Sequence, residues 1–121
     1  MEKSKSILQE KSFTLALEVI GLYRFLVESK KEFVMSKQLL RSGTAVGALI
    51  REARNGESRK DFIHKLGIAQ KECDETMYWL ELLVTSEYLT LVQQKPVYEL
   101  SDQILKMIKS SIITTRNNTR K

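Results

Sequence analysis

A chain of 121 residues, 42% of them apolar, with one proline and five glycines, has room for one domain, and its scarcity of breakers favours long helices. A lone cysteine excludes an intrachain disulfide and fits a reducing compartment, and no apolar run approaches the roughly 20 residues that span a bilayer. Net charge is +5, from 20 Lys+Arg against 15 Asp+Glu, and every acid lies at or before Asp102, so Lys106, Lys109, Arg116, Arg120 and Lys121 carry the whole excess.

The start, Met1-Glu2-Lys3-Ser4-Lys5, leads into an amphipathic segment with no signal-peptide core or cleavage site, and we read the protein as cytoplasmic. The first helix is predicted over about 6–28. Phe13, Ala16, Ile20, Tyr23 and Val27 form one apolar stripe; Leu15, Val19, Leu22 and Leu26 form a second beside it. The second helix is predicted over about 36–55, with Ser36 as its N-cap and Leu39, Gly43, Val46, Ile50 and Ala53 inward. Gly43 and Gly47 stand four apart and predict close packing on a neighbouring helix. Gly56 is expected to close this helix in the left-handed conformation.

The third helix is predicted over about 58–86, opened by Ser58 with Asp61 three residues on. Its stripe, Phe62, Leu66, Ala69, Cys73, Thr76, Leu80 and Leu83, alternates by four and three, while Ile68, Trp79 and Leu82 lie on another side. Residues 87–95 make the third connection, with Tyr88 and Leu89 tucked beneath it. Pro96 then suits the first turn of a fourth helix over about 96–116, continued by Val97, Leu100, Ile104, Met107 and Ile108. Residues 117–121 are expected to fray as a basic tail or to serve as an anion-binding arm. The fold class is all-α: short links favour an antiparallel up-down-up-down four-helix bundle in one domain, 1–121.

Catalytic chemistry finds no foothold. A di-metal bundle site needs two Glu-x-x-His pairs, and this chain has one histidine, so Asp61-x-x-His64 has no counterpart and His64 reads as a surface residue. Cys73 sits on the apolar stripe, where free cysteine packs rather than reacts. No phosphate loop, nucleophile elbow or zinc spacing is present. We therefore expect no catalytic residue, no cofactor and no metal.

The predicted topology gathers Lys3, Lys5, Arg51, Arg54, Arg59, Lys60, Arg116, Arg120 and Lys121 at one end against Glu2, Glu52, Glu57 and Asp61, nine minus four or +5. At the other end Lys30, Lys31, Lys37 and Lys95 cancel Glu28, Glu32, Glu87 and Glu99. The basic end suits nucleic-acid phosphates, RNA or DNA, through Arg51, Arg54, Arg59, Lys60, Arg116, Arg120 and Lys121. Helices one and three show more apolar surface than one core needs. Ile68, Glu72, Glu75, Tyr78, Trp79 and Leu82 are accordingly candidates for an oligomer interface. Tyr78 and Trp79 fit equally under the third connection. The rival to nucleic-acid binding is a scaffold for a protein partner.

Residues 38–54, QLLRSGTAVGALIREAR, and 57–83, ESRKDFIHKLGIAQKECDETMYWLELL, resemble the four-helix bundle proteins called 23S rRNA intervening sequence proteins. Ser58-x-x-Asp61-Phe62 and Ala69-x-Lys71-Glu72-x-x-Glu75-Thr76-x-Tyr78-Trp79-Leu80 carry the resemblance most strongly. It implies an antiparallel bundle that assembles as a homopentamer, with no enzyme activity, related to the basic accessory proteins of diversity-generating retroelements. Ala45 and Leu49 depart from the family pattern, where relatives often carry serine and asparagine; Glu52 and Ala53 keep it. In a pentamer all subunits point one way, and five basic ends would add to roughly +25 on one face.

Overall fold

A computed structural model describes residues 6–119. Four helices account for nearly all of them: α1 (Ile7–Lys30), α2 (Met35–Arg54), α3 (Arg59–Thr85) and α4 (Leu91–Thr119). Each helix packs on two neighbours, in the cycle α1, α2, α3, α4. Cross-helix pairs fix the directions. Ser12 and Val19 of α1 meet Gly47 and Gly43 of α2; Glu52 and Ser42 of α2 meet Lys65 and Thr76 of α3. Cys73 and Glu81 of α3 meet Ser101 and Tyr98 of α4. In each pair one number rises as the other falls, so neighbouring helices run antiparallel.

The core follows the predicted stripes. Leu39, Gly43, Val46, Ile50 and Ala53 of α2 are buried, as are Leu66, Ala69, Cys73, Thr76, Leu80 and Leu83 of α3. On α1 the inward stripe is Leu15, Val19 and Leu26, while Phe13 and Leu17 remain 59% and 56% exposed. Gly43 earns its place by contact: a Cβ there would stand 2.7 Å from Val19 Cγ2. The spacing of Gly43 and Gly47 thus marks the seam between α1 and α2. Buried hydroxyls bond within their own helices, Ser101 to the Val97 carbonyl at 2.9 Å and Thr76 to the Glu72 carbonyl at 2.8 Å. This leaves no unpaired polar group to tax the core at those positions.

Helix ends hold the differences from expectation. Ser58 caps α3 as predicted, accepting the Asp61 amide at 3.0 Å, and Ser6 caps α1 in the same way, accepting the Gln9 amide at 3.0 Å. Ser36, expected as the cap of α2, lies inside it and is fully buried. The cap is Glu32, whose carboxylate accepts the amides of Val34, Met35 and Ser36 at 3.1, 2.9 and 2.7 Å. The chain reaches this geometry by turning at Lys31, whose φ of 55° is left-handed.

Gly56 was expected to be left-handed; no described glycine has positive φ. The turn needs glycine there for another reason: a Cβ would stand 2.5 Å from Asp61 Oδ2 and 3.1 Å from the Ala53 carbonyl. α4 begins at Leu91, not Pro96, so residues 91–95 belong to the helix and the third connection is shorter than expected. Thr90 and Gln93 form a reciprocal cap, Gln93 donating its amide to Thr90 Oγ1 at 3.1 Å and accepting the Thr90 amide at 2.9 Å. Pro96 stands inside the helix. The bond it cannot donate belongs to the carbonyl of Val92, a residue 83% exposed and open to water. Leu89 is buried beneath the connection as expected, and Tyr88 is half-buried against the core. α4 runs unbroken through residues 117–119, which were expected to fray; Arg120 and Lys121 lie outside the described residues.

Candidate nucleic-acid interface

One end of the bundle is made by the start of α1, the α2–α3 turn and the end of α4. The last turn of α2 presents Arg51 and Arg54, where cations complement the partial negative charge of a helix C-terminus. After a four-residue turn α3 opens with Arg59 and Lys60. That placement breaks the same rule, because a helix N-terminus carries partial positive charge, and each misplaced cation costs a few tenths of a kcal/mol up to about 1. Asp61 offsets it in part as the acid of the first turn. Two cations held against a helix dipole are a cost that a bound anion would relieve.

Arg51, Arg54, Arg59, Lys60 and Arg116 are all exposed. Against them stand Glu52, Glu57 and Asp61, so the described part of this end carries five minus three, or +2. Lys65 moves the balance further by pairing with Glu52 at 3.0 Å, a bond that holds its ammonium above the usual lysine range. Lys3, Lys5, Arg120, Lys121 and Glu2, also expected here, lie outside the described residues.

The opposite end uses one of its acids differently. Glu32 is 8% exposed and spends its charge on backbone amides rather than on a lysine. Burial works to raise its carboxyl, but the amides of Met35, Ser36 and Val34 and the Ser36 hydroxyl outweigh burial and hold it below the ordinary value.

Of the α3 residues proposed as an interface, Glu72 and Glu75 meet α2 through Arg41. Ile68, Glu72, Glu75, Trp79 and Leu82 are partly exposed, and Tyr78 is 55% exposed. Sequence reading missed their organiser, Arg41. Its guanidinium reaches Glu75 at 2.6 Å and Glu72 at 3.4 Å. Glu75 also accepts the Trp79 indole N–H at 3.0 Å, and Tyr78 meets Trp79 edge-on with ring centroids 5.0 Å apart. The Trp79 bond, then Arg41 with help from Lys71, holds the Glu75 carboxyl below its ordinary value against a raising effect of burial. Arg41 lies 31 and 34 residues from its partners, beyond the reach of any spacing rule within one helix.

Cys73 is fully buried and its thiol donates to the Ser101 carbonyl at 3.1 Å. Burial first, then the charges of Asp74 and Asp102, push the thiol up to about 12, far from nucleophilic use. His64 is exposed on α3. No cluster of three or more His, Cys, Asp or Glu suited to a metal occurs among the described residues, and no helix of the described chain is long and apolar enough to cross a membrane.

A family model described as 23S rRNA-intervening sequence protein matches residues 4–110. Among solved structures, one similar to this chain is the 1.70 Å crystal structure of a protein with unknown function from the S23 ribosomal protein family of Bacteroides thetaiotaomicron. It is 52% identical, covers 88% of this chain and 98% of its own, and superposes with a TM-score of 0.86. No curated protein matches the chain.

Proposed function

The chain belongs to the 23S rRNA-intervening sequence protein family, and from that premise we propose a non-catalytic, homo-oligomeric bundle that binds nucleic acid without sequence preference through its basic end. One observation carries the reading: Arg51, Arg54, Arg59, Lys60 and Arg116 are exposed at a single end, two of them against a helix dipole. Phosphates brought to that end release counterions and relieve the dipole conflict together. Self-association, pentameric as in the family resemblance, would bring several such ends onto one face and multiply their field. The α3 surface of Arg41, Glu75, Tyr78 and Trp79 suits it, since preorganised aromatic and arginine groups are the usual anchors of interfaces.

The test is fluorescence anisotropy with labelled structured RNA and duplex DNA at low and near-physiological salt, with mass measured by light scattering on the same sample. Binding that weakens steeply with salt is the expected result. Absence of binding at low salt overturns the reading and points to a protein partner.

A further inference from the structure

The apolar side chains left outside the core are not spread evenly. Phe33, Val34, Leu91 and Val92 are 56%, 71%, 68% and 83% exposed, and all four belong to the end of the bundle remote from the basic residues. Phe33 and Val34 lead into α2, and Leu91 and Val92 open α4. Cross-helix bonds put the two pairs at one level. Thr76 meets Ser42, so Val84, eight residues on along α3, stands level with Val34, eight back along the chain into α2. Cys73 meets Ser101, so Leu83, ten residues on, stands level with Leu91, ten back along α4. The two levels differ by one residue of α3, a rise of about 1.5 Å. Side chains on a helix tilt toward its N-terminus, so residues that begin α2 and α4 lean out past this end rather than back over the bundle.

The backbone holds the end in this form. Lys31 and Glu87 both take left-handed φ, 55° and 70°, and neither is glycine. Such turns persist only where the surroundings fix them. The first is fixed by Glu32 and its three amide bonds. The second is fixed by the Leu83 carbonyl, which accepts the amides of Tyr88 and Leu89 at 2.9 and 3.1 Å. A surface ordered before contact loses little entropy when it docks.

Charge decides what can cover it. Lys30, Lys31, Lys37 and Lys95 stand exposed at this end together with Glu28, Glu87 and Glu99, so both signs are on offer. Two such ends meeting about a two-fold axis can set the lysines of one against the glutamates of the other, and reciprocally. The basic end cannot meet its own copy in this way, because Arg51, Arg54, Arg59, Lys60 and Arg116 would confront themselves.

We propose that two bundles, single or already associated side by side, meet end to end through Phe33, Val34, Leu91 and Val92, with their basic ends pointing away from each other. The contact is independent of the basic-end reading, but its consequence rests on that reading: a particle with a nucleic-acid surface at each pole binds two segments at once and bridges them.

Val34→Glu with Val92→Glu charges the surface at two exposed positions that are not part of the core, and acids near a helix N-terminus do not disfavour the helix. Light scattering at high protein concentration is expected to give the wild type twice the mass of this variant, with circular dichroism matching the two folds. Energy transfer between donor- and acceptor-labelled DNA duplexes is expected with the wild type and falls severalfold with the variant, while anisotropy gives both proteins the same affinity for a single duplex. Equal masses for wild type and variant overturn the contact. A doubled wild-type mass with energy transfer unchanged in the variant overturns the bridging. A doubled mass without duplex binding supports the contact and overturns the basic-end reading, and the bridging falls with it.

Discussion

The two ends of this bundle hold similar numbers of ionic groups and use them in opposite ways. At the α2–α3 end, Arg59 and Lys60 sit where the helix dipole disfavours them and stay exposed. At the α1–α2 end, Glu32 turns inward and is consumed by three amides. One end keeps its charge available at some cost to stability; the other spends charge to hold the chain together. The difference teaches that a local rule broken without a partner in the same molecule points outward, toward a ligand.

The sharpest way to break the comparison is to reverse charge at each end in turn. Arg59→Glu with Lys60→Glu is expected to lower RNA affinity by about ten- to a hundredfold, as removal of two charge-assisted phosphate contacts would. It should also flatten the slope of log affinity against log salt by roughly 0.7 to 0.9 per contact. The same change leaves the fold intact or firmer, because acids suit a helix N-terminus. Lys30→Glu with Lys31→Glu at the far end is the control, and equal loss there would show that net charge, not location, governs binding.

Stability is expected to answer in the reverse pattern. Glu32→Ala strips the cap from α2 and is expected to cost about 2 kcal/mol, at the upper end for a helix cap. The pH dependence follows from the depressed carboxyl of Glu32. A group held below its unfolded value contributes fully above that value, near 4.3 for glutamate, and its contribution is lost as pH falls through the lower folded value. Thermal melts of wild type and Glu32→Gln should therefore converge in acid and separate above about pH 5. Parallel curves across that range would remove Glu32 from this role. Thr90→Ala, which breaks the reciprocal cap of α4 at the same end, is expected to cost about 1 kcal/mol in the same melts.

How legible these ends were differs by the range of the cause. The inward stripes of α2 and α3 could be read in the sequence, with Phe62 alone half-buried, because a 3.6-residue period records burial directly. The cap at Ser58 was equally plain, while Ser6 and Thr90-x-x-Gln93 carry the same signal without standing out, the second eclipsed by Pro96, whose forgone bond water can serve. Glu32 was hidden because its side chain acts forward across a turn that Lys31 makes in a conformation uncommon outside glycine. A groove lined by Ser12, Gly47 and Asp61 was hidden as well, because its residues come from three helices and a turn and no single periodicity holds them.

The smallest expected effect concerns the α3 surface, midway between the two ends. Arg41 is 51% exposed on its side chain, so its pairs with Glu72 and Glu75 are screened and Arg41→Ala is expected to cost less than about 1 kcal/mol. Its consequence lies in position rather than stability. Glu75 would keep its bond to Trp79 but lose the guanidinium that pins it, and the chain's single tryptophan reports that change by its emission. A loss of self-association in light scattering, with melting nearly unchanged and the tryptophan signal altered, marks Arg41 as the group that sets an aromatic anchor for a neighbouring copy. Unchanged self-association would leave Arg41 an ordinary surface pair.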